Sequence, residues 1–191
     1  LDPGASAFLC GYGPMFRYIK HLEQLGFPIK QILFYRCERK FHFGGDAASM
    51  SRWVVRMPLF VNGRFGFAQV FMVPGETPML CGRPIIQQLN ISLDFATEKI
   101  RFADGMWVPS LMGMHGEYLL PLCADFEIYH DTLEPQFDLQ LATPGEIDIK
   151  PWTFNEFNNE ETIFTATEEP EVVIPGTLKC QHHLLNTFDV K

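Results

Sequence analysis

Apolar residues recur along this chain with two different periods. Met15, Tyr18, Ile19, Leu22 and Leu25 fall at helical spacing, which places one face of a helix against a core. Gly11-Tyr12-Gly13 breaks the preceding segment, Pro14 suits the first helical position, and Gly26 supplies the stop. Elsewhere the pattern is that of strands. Ala7–Cys10 is a short apolar run, Ile29–Arg36 is extended, and Phe41-His42-Phe43 alternates. Trp53–Val61 and Arg64–Val73 flank Asn62-Gly63, the dipeptide that favours a two-residue hairpin. On the second of these strands Phe65, Phe67, Gln69 and Phe71 share one face and Gly66, Ala68, Val70 and Met72 the other. Both faces are largely apolar, which predicts cover on both sides. Leu93–Phe95 and Ile100–Phe102 form a further hairpin around Ala96–Lys99, and Tyr118–Leu122 is a last strand.

Many short strands, frequent turns and little helix predict a mainly β fold, a small closed β-barrel with one or two short helices. The 18 Phe among 191 residues argue for a well-filled core in the first part. Beyond about residue 124 the periodicity fades and prolines punctuate an acidic stretch. Residues 1–123 carry 12 Lys and Arg against 9 Asp and Glu, whereas residues 124–191 carry 3 against 14. That break sets the expected boundary, with a folded domain over 1–123 and an acidic, poorly ordered linker or tail over 124–191. The acidic half, without a zinc knuckle, argues against direct nucleic-acid binding.

Five cysteines at positions 10, 37, 81, 123 and 180, widely spaced and odd in number, fit reduced thiols and an intracellular, cytoplasmic location. Cys180-Gln181-His182-His183 lacks a second ligand pair, so no metal site is expected. No apolar run reaches the ~18 residues of a membrane span. The chain opens at Leu1, without an initiator Met, and reads as a fragment of a longer product.

The candidate chemistry lies at the start. Leu1-Asp2-Pro3-Gly4-Ala5-Ser6 is an apolar lead-in that delivers one carboxylate into a glycine turn. A carboxylate acts as general base on water when its surroundings fix its position and tune its acidity. Gly4 lets a backbone N–H approach that carboxylate closely. An ordinary Asp-Pro-Gly turn has the same composition. Two more stretches bear on that choice. Pro78-Met79-Leu80-Cys81-Gly82-Arg83-Pro84-Ile85-Ile86 runs from an apolar strand through Gly-Arg into one amphipathic helical turn, and Phe43-Gly44-Gly45-Asp46 has the small residues of a flap that bends over a bound peptide.

In order and spacing these three stretches resemble the retropepsin family, the aspartic proteases of retroviruses and LTR retrotransposons, and most of all the proteases of retrotransposon polyproteins. The resemblance spans about residues 1–123. It implies an acid-protease barrel and an aspartic endopeptidase that processes its own polyprotein as a homodimer. Each subunit contributes Asp2 as the catalytic residue, and no cofactor is needed. Two carboxylates so close share one proton; the ionised one takes a proton from water while the other polarises the scissile carbonyl. By the same resemblance Gly4, Ala5 and Ser6 form the active-site turn, with Ser6 bonding nearby backbone, and Phe43, Gly44, Gly45 and Asp46 form the flap. Leu80, Gly82 and Arg83 support the turn from beneath. Asp94, at a strand end, is a turn-former and not a catalyst.

The chain departs from the family at two places. Position 3 is Pro where the family has a Ser or Thr whose hydroxyl ties the two active-site turns of the dimer together. The strands that precede the catalytic Asp in the family are represented only by Leu1. Pro3 favours the alternative reading, a catalytically inactive retropepsin-like dimerisation or interaction module.

Overall fold

Asn62 and Gly63 both adopt positive φ, 50° and 71°, the conformation that a two-residue turn needs to match the twist of the strands it joins. Around this turn the computed structural model builds its longest ladder. It describes residues 1–43, 48–103, 105–114, 117–122, 133–143 and 145–165, with side chains to residue 159. In chain order the elements are β1 (Phe8–Gly11), α1 (Tyr12–Gln24), a 3-10 turn (Ile29–Gln31), β2 (Leu33–His42), β3 (Ala48–Val61) and β4 (Arg64–Val73). There follow β5 (Leu80–Cys81), α2 (Arg83–Gln88), β6 (Ser92–Asp94), β7 (Lys99–Arg101), β8 (Trp107–Pro109), β9 (Leu111–Met112), β10 (Tyr118–Leu119), β11 (Phe137–Leu139), β12 (Trp152–Thr153) and α3 (Phe154–Thr165).

The fold is mainly β, as the strand pattern predicts. The principal sheet runs β12-β2-β3-β4-β1-β5. β3 and β4 pair from Val61↔Arg64 to Trp53↔Met72 without a break. The ten residues of β4 carry two short parallel partners end to end, β11 opposite Gly66–Ala68 and β1 opposite Phe71–Val73. Every residue of β4 from Phe65 to Val73 is buried, as expected for a strand covered on both faces. Two smaller sheets, β6-β7-β8 and β9-β10, complete the described strands.

The expected closed barrel is not formed among the described residues. β5 pairs only with β1 before the chain turns into α2, and β12 pairs only with β2, so the two ends of the principal sheet do not meet. Its buried side chains form two clusters. The larger takes Phe65 and Phe67 from one face of β4 and Ala68, Val70 and Met72 from the other, and α1 inserts Met15, Ile19 and Leu22 into it. The helix begins two residues before Pro14, at Tyr12, and ends as predicted with Gly26 at φ 83°. The smaller cluster includes Ala7, Leu9, Phe41, Val54 and Phe71.

Beyond residue 132 the structure departs from the expected linker. The compact unit extends over Leu1–Phe157, and Asn158–Lys191 forms a second unit. β11 and β12 each add a strand to the principal sheet. Phe157 is fully buried, with its ring stacked 4.1 Å from that of Phe34 and edge-on to Trp53 at 5.1 Å. Charge composition is silent here because acidic residues alternate with apolar ones that face inward. Exposed Asp138 lies between Phe137 and buried Leu139, and exposed Glu156 precedes buried Phe157. Among the described residues no helix is long and apolar enough to cross a membrane.

Phe157→Ala is therefore expected to lower the unfolding free energy by about 3–5 kcal/mol, measured by urea denaturation. A chain ending at residue 123, which lacks both strands and Phe157, is expected to lose its cooperative transition in the same assay.

Candidate active site

Pro3 forces the residue before it toward extended backbone, and Asp2 pairs in that conformation, in a parallel bridge with Gly82. The Asp2 N–H donates to the Cys81 carbonyl at 3.0 Å. The Ala5 N–H donates back to the Asp2 carbonyl at 3.0 Å, which closes a four-residue turn over Pro3 and Gly4. Inside that turn the Asp2 carboxylate is held by backbone. Its Oδ1 accepts the Gly4 N–H at 2.9 Å and the Ala5 N–H at 3.2 Å. Oδ2 has no hydrogen-bond partner among the described residues, and the side chain is half-buried. The carboxylate is thus fixed by Oδ1 alone among the described residues.

Gly82 sets the closeness of the second segment. A Cβ at this position would stand 2.1 Å from the Ala7 carbonyl oxygen and 2.7 Å from that of Ala5. Both atoms belong to the backbone and cannot turn aside. Across this junction the Arg83 N–H donates to the Ala5 carbonyl at 2.9 Å. Register places Cys81 opposite Phe8 and Leu80 opposite Leu9. The helix α2 then starts from Gly82, whose carbonyl accepts the Ile85 and Ile86 N–H groups, and anchors itself through buried Ile85. Arg83 reaches the Pro3 carbonyl with Nη2 at 3.5 Å, a tether on the outside of the turn.

The structure brings Asp2, Gly4, Ala5, Leu80, Gly82 and Arg83 together. Ser6 is exposed and makes no hydrogen bond among the described residues, in place of the backbone contact expected of it. Phe43 packs on the smaller cluster at the end of the β2–β3 hairpin, while Gly44, Gly45 and Asp46 lie outside the described residues. Asp94 is an exposed turn-former. Its carboxylate accepts the Thr97 hydroxyl and the Ala96 and Thr97 N–H groups, which hold it below the ordinary carboxylate range.

Cysteine chemistry has no footing near this turn. Burial pushes the thiols of Cys10 and Cys81 up to about 12 and that of Cys37 to about 11, so all three are protonated at neutral pH and poor nucleophiles. Among the described residues no group of His, Cys, Asp and Glu could hold a metal ion.

Sequence reasoning missed the segment that crosses the smaller cluster. Leaving β11, the chain hangs the Leu141 and Ala142 N–H groups on Gln69 Oε1, at 2.9 and 3.0 Å. It then reaches the outer edge of β2, where Ile147 bridges Cys37 and the Asp148 N–H donates to the Arg36 carbonyl at 3.0 Å. A bulge between Arg36 and Arg39 displaces β2 from the β3 register at this point. Two ion pairs fasten the crossing, Arg56–Asp138 at 2.9 Å and Arg39–Glu146 at 3.4 Å. A signal was present: Gln69 is a buried polar side chain in an otherwise apolar strand, and such a group must find a partner.

Against protein-family models, curated proteins and solved structures, the chain finds no match.

Gly82→Ala is expected to cost about 2–3 kcal/mol of stability, since the added methyl meets backbone and the two segments must part. Urea denaturation measures the loss, and weaker protection of the Arg83 amide in hydrogen exchange locates it.

Proposed function

We propose that this chain is an aspartic endopeptidase lobe of retropepsin type, with Asp2 as its catalytic carboxylate and a polyprotein segment as its substrate. The observation that carries the reading is the Asp2 turn: one carboxylate oxygen fixed by two backbone N–H groups, the other without a hydrogen-bond partner among the described residues, in a bridge with a glycine that admits no side chain. An ordinary surface Asp-Pro-Gly turn needs no second segment pressed beneath it. A positioned carboxylate with a free oxygen is what proton abstraction from water requires. One lobe supplies one such group, so the active form is a homodimer in which two Asp2 carboxylates share a proton and divide the roles of base and acid. Peptide hydrolysis then proceeds by attack of the activated water on the scissile carbonyl and departure of the amine.

Pro3 favours a second reading, an inactive lobe kept for dimerisation or interaction. It has neither a hydroxyl nor an N–H with which to bind a partner's turn. It is exposed, and its carbonyl meets Arg83 of the same chain.

Cleavage of a peptide library at mildly acidic pH separates the two. The protease reading predicts pepstatin-sensitive cleavage that falls by at least about 10³-fold in Asp2→Asn. Folded dimers that cleave nothing, together with a Pro3→Ser variant that does cleave, would instead establish an inactive lobe silenced at one residue.

A further inference from the structure

The crossing segment, described at Leu141–Thr143 and 145–148, lies on the smaller apolar cluster, two of whose strands lead from the Asp2–Gly82 bridge. Ala7 and Leu9 reach that face from the strand that leaves the Asp2 turn. Leu80 reaches it from two residues before Gly82, the bridge partner of Asp2. At a strand rise of about 3.3 Å per residue, the cluster begins within roughly 7 Å of the bridge. Phe41 and Phe43 bring the turn end of the β2–β3 hairpin to it. Onto this face the segment lays two aliphatic side chains, Ala142 and Ile147.

The crossing is held firmly at its ends and lightly in its middle. At one end Leu139 is buried in the principal sheet; at the other Trp152 pairs with Phe34 and is followed by buried Phe157. Between them the fastenings are two side-chain hydrogen bonds to Gln69, the short pairing on β2 and the Arg39–Glu146 ion pair, whose side chains are 29% and 28% exposed. Partly exposed ion pairs contribute modestly, and Ala142 and Ile147 are themselves only half-buried. A segment with few buried apolar contacts opens locally at much lower cost than the whole unit. The face beneath it is different: Val54 and Phe71 are fully buried, Leu9 and Phe41 nearly so.

We infer that this strap is a built-in cover of the apolar face beside Asp2, and that strap and substrate peptide exclude one another. The inference rests on the protease reading of Asp2. The strap also shows what the face accepts: extended backbone along the outer edge of β2, carrying small aliphatic side chains. Substrates of that chemistry compete with it, and the open fraction of the strap scales the rate.

Cys37 and Ile147 are antiparallel partners, a separation that a disulfide spans. Ile147→Cys therefore permits a reversible lock. Refolding in a glutathione redox buffer joins the two thiols; the disulfide of oxidised glutathione breaks and takes up the two electrons and two protons as two reduced glutathiones, and dithiothreitol reverses the step. Cleavage of the peptide library is compared in the locked, reduced and wild-type chains. The cover predicts that kcat/KM of the locked form falls at least about tenfold and returns on reduction, while the wild type is indifferent to the same treatments. In a second variant, Glu146→Gln loosens the strap and is expected to raise kcat/KM about two- to fivefold. Should Ile147→Cys not fold, Glu146→Gln decides alone. Equal Asp2-dependent cleavage in locked and reduced forms, or no gain from Glu146→Gln, overturns the cover and leaves the protease reading standing. No Asp2-dependent cleavage in any form overturns both.

Discussion

The close approach of Gly82 to the backbone of Ala5 and Ala7 is the constraint on which the site depends. Two chain segments about eighty residues apart in sequence meet there with no side chain between them. Because they meet, Asp2 is bridged on one side while its own turn supplies N–H groups on the other. Because Arg83 donates to Ala5 in the same junction, α2 starts at a fixed point and buries Ile85 in the larger core. A methyl group at position 82 would reach all of this at once.

From that junction the architecture follows outward. β1 leaves the Asp2 turn and pairs with both β4 and β5, so the turn is rooted in the buried centre of the sheet. β4 is long enough to carry β1 and β11 on the same edge. That shared edge brings the chain after residue 132 back beside the site, and the crossing from β11 to β2 then covers the smaller apolar face. Site and strap are joined through one strand, β4, which supplies both the pairing for β1 and the Gln69 side chain that holds Leu141 and Ala142.

Much of this was legible in the sequence. The Asn62-Gly63 turn, the doubly apolar β4, the helix ended by Gly26 and the Asp2 and Gly82 stretches all write local physics directly into residue types. What was not legible depends on distance. Leu139, Trp152 and Phe157 sit in a stretch whose net charge and prolines suggest a solvated chain, yet each pairs or packs with residues about seventy to a hundred and twenty positions away. No local period announces such contacts when the strands are two or three residues long. The barrel expectation failed for a related reason: closure depends on whether the two outermost strands meet, and short edge strands carry no mark of their neighbours. Ser6, expected to bond backbone, stands exposed because the Asp2 turn satisfies itself through Gly4 and Ala5.

The central claim is that the Asp2 turn is a ligand-bearing site and not a surface turn. Amide NMR of the full chain, titrated with pepstatin as a transition-state mimic, tests it most directly. The account predicts that the Gly4 and Ala5 resonances shift on titration, that the Gly82 and Arg83 resonances follow, and that Asp2→Asn removes the response while leaving the spectrum folded. Unchanged Gly4 and Ala5 resonances at saturating inhibitor, or an identical response in Asp2→Asn, would contradict it.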